Sequence, residues 1–502
     1  MIHDAPRQPV DVALLVEGTY PFVLGGVSTW VHRLIEALPE TTFSVVFLGG
    51  RQSDYGAPAY RLPPNVRHLE CQYLFELKER VEAASGSTST LADVELLHQL
   101  LRITGPEQPL DPPLLRRMAR RLGEADGLTL GDLLHGDAAW QKICEGYRRE
   151  WSDASFSDYV STVRAMHAPI FALADIARRL PPARSYHALS TGYAGFLGAL
   201  LRHRNDRPLV LTEHGLYTKE RKIDLAGAEH IAGDGQDPSV LGFGRRLWMR
   251  FFQALGRIAY SSADAIIALY DGSRQRQIED GADPARTRVV PNGVDVDHFR
   301  ELRARRPDRL PPVLGFIGRV VPMNDVKTFI QAMKAVVARC PDAEGWIVGA
   351  TSEDESYAAE CVQLATALGL AQRVRFVGFR PPEEVLPRLG LLVLTSISEA
   401  LPLVVLEAFA SGLPVLTTDV GACRELVAGR TREDRGLGAA GAVVPIANPY
   451  ATARAATALL RHPARWAAAQ RAAVRRVETY YTESQAIEEY RRIYREVSSS
   501  QA

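Results

Sequence analysis

Short apolar runs alternate with segments of helical apolar spacing over most of this 502-residue chain. The stretch VDVALLVEG (10–18) is an unbroken apolar run closed by glycine, the pattern of a buried parallel strand. GGVSTWVHRLIEALP (25–39) follows, with Val27, Trp30, Val31, Leu34, Ile35 and Leu38 spaced as one face of a helix. TFSVVFLGG (42–50) predicts the next strand, which completes a βαβ unit. Further strands are expected at VRHLEC (66–71), YHALST (186–191), PLVLTEHG (208–215) and ADAIIALY (263–270). Between about 72 and 182 the pattern is helical, with a low-complexity break at AASGSTSTLAD (83–93), and predicts an insertion into the first domain. Residues 238–264 predict a long helix with Leu247, Phe251, Ala254, Leu255 and Ile258 on one face. Its Arg245, Arg246 and Arg250 beside Trp248 read as the solvated side of a core-facing helix, with a membrane surface as the alternative.

ELRARRPDRLPP (301–312) is charged, proline-containing and poor in apolar residues, and reads as a linker. A second strand–helix series then begins, from VLGFIGRV through DVKTFIQAMKAVVARC, GWIVGA, YAAECVQLATALG, RVRFVGF, LLVLTS and PLVVLEAFASG to PVLTTD. Residues 465–497 predict one or two closing helices. The pattern therefore predicts an α/β protein of two Rossmann-like, doubly wound domains facing a central cleft. The first is expected over 1–305, completed by a C-terminal helix at about 478–502, and the second over 306–477.

Composition narrows the class. Apolar residues make up 46% and charged residues 24%, as in a soluble globular protein. Lys and Arg number 59, as do Asp and Glu, which argues against nucleic-acid binding by bulk charge. The five cysteines are scattered without a C-x-x-C, so neither a disulfide framework nor a zinc site is indicated and a cytosolic protein is expected. The N-terminus lacks the pattern of a signal peptide, and no run of about 18 uncharged apolar residues occurs.

The most apolar stretch, SISEALPLVVLEAFASGLPVLTTD (396–419), is interrupted by Glu399 and Glu407. A strand is expected to end near Ser396. A helix is expected from PLVVLEAFA, with Pro402 in its first turn and Gly412 at its end. Glu399 then lies at a strand's carboxyl end, where open α/β sheets bind ligands. The free N–H groups opening the helix, near Leu403 and Val404, suit a phosphate, and Leu401 and Pro402 are expected beside them in a nucleotide-sugar site. One carboxylate accepts from two neighbouring hydroxyls, so two acids flanking a phosphate site suit a nucleotide sugar. From the residues alone, two helix-cap or surface acids remain an equal reading.

The segment SEALPLVVLEAFASGLPVLTTDVGACREL resembles the E-x7-E motif of retaining GT-B glycosyltransferases of family GT4. The resemblance extends over the chain. VEGTYPFVLGGVSTWV is similar to the family's N-terminal glycine loop, PNGVDVDHF (291–299) to its segment before the linker, and GFIGRVVPMNDVKTF to its arginine loop. Together with TEHGLYTKER and the insertion, these stretches resemble the branch that builds Pel-type exopolysaccharide. The resemblance implies Glu399 on the donor sugar, Glu407 on the ribose, Arg319 on the diphosphate, and Gly25 and Gly26 against donor phosphate or acceptor. It implies His214 on the donor sugar, although a lone histidine is by itself more often structural. It further implies a UDP-sugar donor, a polysaccharide acceptor, membrane-bound synthase partners, and no cofactor or required metal. Asn324 departs from the pattern, since family members usually carry Lys there. An uncharged amide in place of a cation on the leaving diphosphate weakens catalysis by on the order of 3 kcal/mol. Lys327 is expected to face outward, and Glu213 and Glu220 are weaker candidates for acceptor contacts. DVD (295–297) imitates a metal-binding D-x-D but stands in the segment before the linker, and GTYPFVLGG is not a dinucleotide fingerprint.

Overall fold

The computed structural model describes residues 9–76, 89–102, 110–124, 126–221, 242–307 and 309–499. The chain divides into two compact units: Met1–Val289 with Tyr490–Ala502, and Val290–Glu489. No helix among the described residues is long and apolar enough to cross a membrane.

The first unit carries strands β1 (Val10–Glu17), β2 (Phe43–Gly49), β3 (Val66–Tyr73), β4 (Ala183–Ala188), β5 (Leu209–Glu213), β6 (Ala265–Ala268) and β7 (Thr287–Val289). They form one parallel sheet in the order β3-β2-β1-β4-β5-β6-β7. The unbroken apolar runs are explained by burial on both faces: all seven residues of β2 are buried. The three-residue edge strand β7 is too short to give a sequence pattern. Between β3 and β4 lie the helices Ser89–Arg102, Pro112–Arg121, Leu130–His135, Asp137–Glu150 and Phe156–Arg179. Residues 83–88 of the expected low-complexity break lie outside the described residues, and Ser89 already opens a helix. The insertion has a small cluster of its own, in which Ile143, Trp151, Tyr159, Val160 and Val163 pack with Phe243, but most of its helices join the core of the sheet. Leu97, Leu100, Leu115, Met118, Ile170 and Leu173 belong to the same apolar cluster as Leu15, Val46 and Leu211 of the sheet.

The long basic helix runs Phe243–Ser262, and residues 238–241 of the expectation lie outside the described residues. Phe251, Ala254, Leu255 and Ile258 are buried. Its basic side is occupied: Arg250 pairs with Glu150 at 2.8 Å, and the guanidinium groups of Arg246 and Arg250 each lie 5.3 Å from the Trp151 ring centre. The helix is core-facing as expected, and Arg246 and Arg250 stay exposed while they make these contacts.

The second unit repeats the architecture with β8 (Val313–Ile317), β9 (Glu344–Val348), β10 (Val374–Gly378), β11 (Leu391–Leu394), β12 (Val415–Thr418) and β13 (Gly441–Val444), parallel in the order β10-β9-β8-β11-β12-β13. The charged stretch 301–312 begins inside the helix Val296–Ala304, so only its later part is irregular. The D-x-D imitation is explained there. Asp295 caps that helix by accepting from the His298 N–H at 3.0 Å, and Asp297 pairs with Arg300 at 2.7 Å. The PNGVD segment is held by backbone: the Val294 N–H donates to the Tyr481 carbonyl and the Glu483 N–H to the Val294 carbonyl, both at 3.0 Å. A Cβ at Gly293 would stand 2.3 Å from the Thr482 carbonyl oxygen, so the approach requires glycine. The tail forms two helices, Pro463–Tyr480 and Glu483–Ser499, broken between them.

Two buried polar clusters anchor the units. In the second, the fully buried Arg476 donates to Asp434 at 2.5 Å and to the carbonyls of Val427, Asp434 and Gly438, each at 2.9 Å. This ties the helix Pro463–Tyr480 to the 427–438 segment. In the first, His187 on β4 lies 2.7 Å from the Tyr494 hydroxyl and 2.8 Å from the Thr212 hydroxyl, so a neutral ring can donate once and accept once. Burial, with His214 adding to it, lowers the His187 pKa to about 3.

Two expectations follow. Arg476→Met leaves the Asp434 carboxylate buried without its counter-charge and destabilises the protein by about 3–5 kcal/mol, read as a lower urea midpoint. His187 titrates near 6.5 when unfolded and near 3 when folded, so its contribution is complete above about pH 6.5 and declines by about 1.4 kcal/mol per unit as pH falls below that. Urea midpoints at several pH values check this, and His187→Gln flattens the slope over that range.

Candidate functional site

In each sheet the order reverses beside the first strand of its unit, between β1 and β4 and between β8 and β11. Loops leaving the carboxyl ends on either side of such a reversal run in opposite directions and leave a crevice there. In the second unit these loops are 318–325 after β8 and 395–402 after β11. They carry Arg319, Asn324 and Glu399.

Backbone and side chain knit the two loops together. The Ile397 N–H donates to the Met323 carbonyl at 2.8 Å, and the Thr395 hydroxyl donates to the Asn324 carbonyl at 3.1 Å. β11 ends at Leu394, two residues before the expected position, because Thr395 leaves the ladder to make that bond. The helix opens at Leu403 with Pro402 as its N-cap rather than inside its first turn, since Pro402 has an extended ψ of 117°. The opening N–H groups of Leu403 and Val404 lack carbonyls one turn back in the helix. Val405, Leu406, Ala408, Phe409 and Ala410 are buried, while Leu403, Val404 and Glu407 are only partly so. Glu407 stands four residues after Leu403 and three after Val404, so it shares their face. Gly412 ends the helix at φ 69°, as expected.

Glu399 is partly buried in the loop. Its carboxylate, with that of Asp419, adds to the burial that pushes the Cys423 thiol up to about 12, against a hydrogen bond with Thr417. Arg319 pairs with Glu353 at 2.6 Å, and both side chains are at least half exposed. Asn324 is turned inward: its amide donates to the Arg319 carbonyl at 2.8 Å and braces the loop. Lys327 points away as expected, paired with Glu360 across the ring of Tyr357.

Sequence reasoning missed four residues here. Thr395 and Glu353 hold the loops and the arginine, as described. Ser396 is fully buried and its hydroxyl has no hydrogen-bond partner among the described residues, three positions before Glu399. Gly421 is the fourth. A Cβ there would stand 2.3 Å from the Glu399 carbonyl oxygen and 2.4 Å from that of Ala400, and its φ is 52°. The Ala422 N–H then donates to the Ala400 carbonyl at 2.7 Å. The Glu399 loop therefore lies directly on the turn after β12. The only signal for this in the sequence is a glycine between a strand and a helix, in DVGACREL.

The other predicted residues lie in the first unit. Gly25 is the N-cap of the helix Gly26–Glu36, and no atom lies within 4 Å of where its Cβ would be. Protein packing does not demand glycine there, and the space stays open to an approaching group. Trp30, one turn along, packs against His214 just after β5, with ring centroids 4.4 Å apart. The His214 ring keeps some exposure, but its Nε2 is sealed from solvent and unpartnered. Burial lowers its pKa to about 4, so the ring is neutral at pH 7. Glu213 is not a contact residue. It is buried and accepts from Tyr260 at 2.6 Å, Gln277 and Thr191 at 3.0 Å, and the Tyr217 N–H at 3.4 Å. These donors satisfy the carboxylate inside the fold. The Gly215 backbone packs against the Glu220 carboxylate.

Gly421→Ala is expected to cost at least about 1–2 kcal/mol from the left-handed backbone alone, and more from the collision with two carbonyls. Gly369→Ala is the control, with φ 72° and no atom nearer than 3.9 Å. Thermal melts should show the larger loss at Gly421.

Residues 10–285 match the family described as Domain of unknown function (DUF3492), and residues 311–462 match Glycosyl transferases group 1. The D-inositol 3-phosphate glycosyltransferase of Nocardia farcinica is 30% identical over 259 residues, covering 49% of this chain and 53% of that protein. The enzyme of the same name from Geodermatophilus obscurus is 33% identical over 254 residues, covering 47% and 52%. The chain thus spans about half the length of these curated relatives. Among solved structures, Anabaena HepE in complex with UDP superposes with a TM-score of 0.56 at 16% identity, over 96% of this chain and 99% of that one. The sucrose-phosphate synthase of Thermosynechococcus elongatus gives 0.57 at 16% identity, over 98% and 100%. At that identity the likeness establishes the fold. The chain belongs to the family described as Domain of unknown function (DUF3492), joined to a group 1 glycosyl transferase domain, and it has the GT-B fold.

Proposed function

We propose that this protein is a retaining GT4-type glycosyltransferase. It moves a hexose or N-acetylhexosamine from a UDP-sugar to a growing exopolysaccharide of the Pel type. One observation carries the reading: the loops bearing Arg319 and Glu399 are bonded to each other at the strand-order reversal, beside the opening turn of the helix that presents Glu407. The structural relative crystallised with UDP, and the inositol phosphate glycosyltransferase relatives, support the ligand class.

In this reading the diphosphate lies on the N–H groups of Leu403 and Val404, near Leu401 and Pro402. Glu407 accepts from the ribose hydroxyls and Glu399 from those of the sugar. The Arg319–Glu353 pair is solvent-exposed and worth at most about 1 kcal/mol, so a diphosphate displaces Glu353 readily. The leaving group departs with its charge on Arg319 and the helix terminus, and the acceptor hydroxyl attacks the same face. No protein nucleophile takes part. Gly25, Gly26 and a neutral His214 serve the sugar or the acceptor, and neither a cofactor nor a metal is invoked. Synthase components at the cytoplasmic face of a membrane are the proposed partners.

A second reading is favoured by Asn324. Its amide is committed to the Arg319 carbonyl, so it adds no charge to the leaving group. The chain then acts as a catalytically silent scaffold in a synthase complex.

A thermal-shift screen across UDP-, GDP- and ADP-sugars tests the first reading. UDP-sugars should raise the melting temperature, and Glu407→Gln should weaken nucleotide binding about 10- to 100-fold, the worth of a charged hydrogen bond. A UDP affinity indifferent to replacing both Glu399 and Glu407 by Gln sinks it. Radiolabelled transfer separates the two readings. Turnover that Asn324→Lys raises marks a weakened enzyme, whereas inertness in both forms with partner binding intact marks the scaffold.

A further inference from the structure

The insertion carries a feature that the proposed reaction does not use. Arg116, Arg117, Arg120 and Arg121 make up four of the ten residues of the helix Pro112–Arg121. With Pro113 they line a recess of about 500 Å³. The helix is mounted firmly: Leu115, Met118 and Ala119 are buried in the apolar cluster of the first unit. Arg204, from the helix Tyr193–Asn205, reaches the Ala119 carbonyl at 3.5 Å.

Among the described residues, charge on this face is not balanced. Asp93, almost fully buried, accepts from Arg117 at 3.3 Å and from Arg121 at 3.0 Å. Asp126 takes a second bond from Arg121 at 3.0 Å. These two acids meet one arginine pair. Among the described residues Arg116 and Arg120 pair with no carboxylate, and both are exposed. Each pair stands at i and i+4, a spacing at which like charges repel on a helix. The chain as a whole has a formal net charge of zero, so this concentration is local.

We propose that this recess binds a phosphate-bearing ligand. Guanidinium forks match phosphate oxygens two at a time, and several forks around one concavity suit a group with up to two negative charges. A single short helix is too small a track for a nucleic acid. An acidic peptide needs an extended groove, whereas this open recess is confined to one face of a ten-residue helix. The buried Asp93 orients Arg117 and Arg121 without cancelling the face. A second basic cluster on this unit, Arg246 and Arg250, is already engaged by Glu150 and Trp151. The inference is independent of the donor site.

The test uses the full chain with two probes: phosphatidylcholine vesicles with and without phosphatidylglycerol, and soluble glycerol phosphate. The expected result is binding that weakens steeply between about 50 and about 200 mM salt. Arg116→Ala/Arg120→Ala should weaken it by about fivefold per arginine, at unchanged melting temperature and unchanged UDP affinity. Arg246→Ala/Arg250→Ala should leave it intact. Binding to phosphatidylglycerol vesicles alone assigns a lipid headgroup, and a thermal shift with glycerol phosphate as well assigns a soluble phosphoester. Failure of both probes to bind overturns the proposal. So does a double variant that binds like wild type, or tighter binding of an oligoglutamate peptide than of either probe.

Discussion

Two loops whose joined residues stand at least 71 positions apart in the chain are tied by one backbone hydrogen bond from Ile397 to Met323 and one side-chain bond from Thr395 to Asn324. That join depends on β8 and β11 being adjacent, which follows from the reversal of strand order in a parallel sheet. Strand order places the carboxyl ends together, and the two bonds then set the height of Glu399 relative to Arg319. The turn at Gly421 supports the loop from beneath through its contact with the Glu399 and Ala400 carbonyls. The chemistry proposed for this protein rests on that arrangement of main chain more than on any single side chain.

Buried charge follows the same logic. Arg476 inside the second unit is tolerated because one carboxylate and three carbonyls surround its guanidinium. Glu213 inside the first is surrounded by four donors. Glu17, at the end of β1, accepts from the Tyr217 hydroxyl at 2.6 Å and from the Ala194 N–H at the start of the helix Tyr193–Asn205 at 3.4 Å. These acids are structural because their oxygens are already answered. Ser396 and His214 differ: each keeps a sealed polar atom unanswered near a strand's carboxyl end.

The insertion shows how one core can serve two purposes. Its helices face inward with leucines, isoleucines and methionine that extend the apolar cluster of the sheet. That anchorage leaves their outer faces free to diverge in charge, and the arginine face of Pro112–Arg121 is the result. The basic face of Phe243–Ser262 shows the opposite outcome, since a neighbouring helix supplies Glu150 and Trp151 to it.

Much of the architecture was legible in the sequence. Strands buried on both faces write themselves as unbroken apolar runs, and helices packed on one side show their period, so both sheets and the insertion were readable. Edge strands β7 and β13 were not: β7 has three residues, and β13 is only partly buried at three of its four positions, unlike the fully buried four-residue strands β6 and β11. Glu399 and Glu407 stood out because carboxylates are costly in so apolar a stretch. What tertiary structure alone decided was partnership: that Glu213 is enclosed by four donors, that Asn324 faces the Arg319 carbonyl, and that Gly421 carries the Glu399 loop. Side-chain direction in a loop depends on strands far away in the chain, and hydrogen bonds between such segments leave no periodic trace along it.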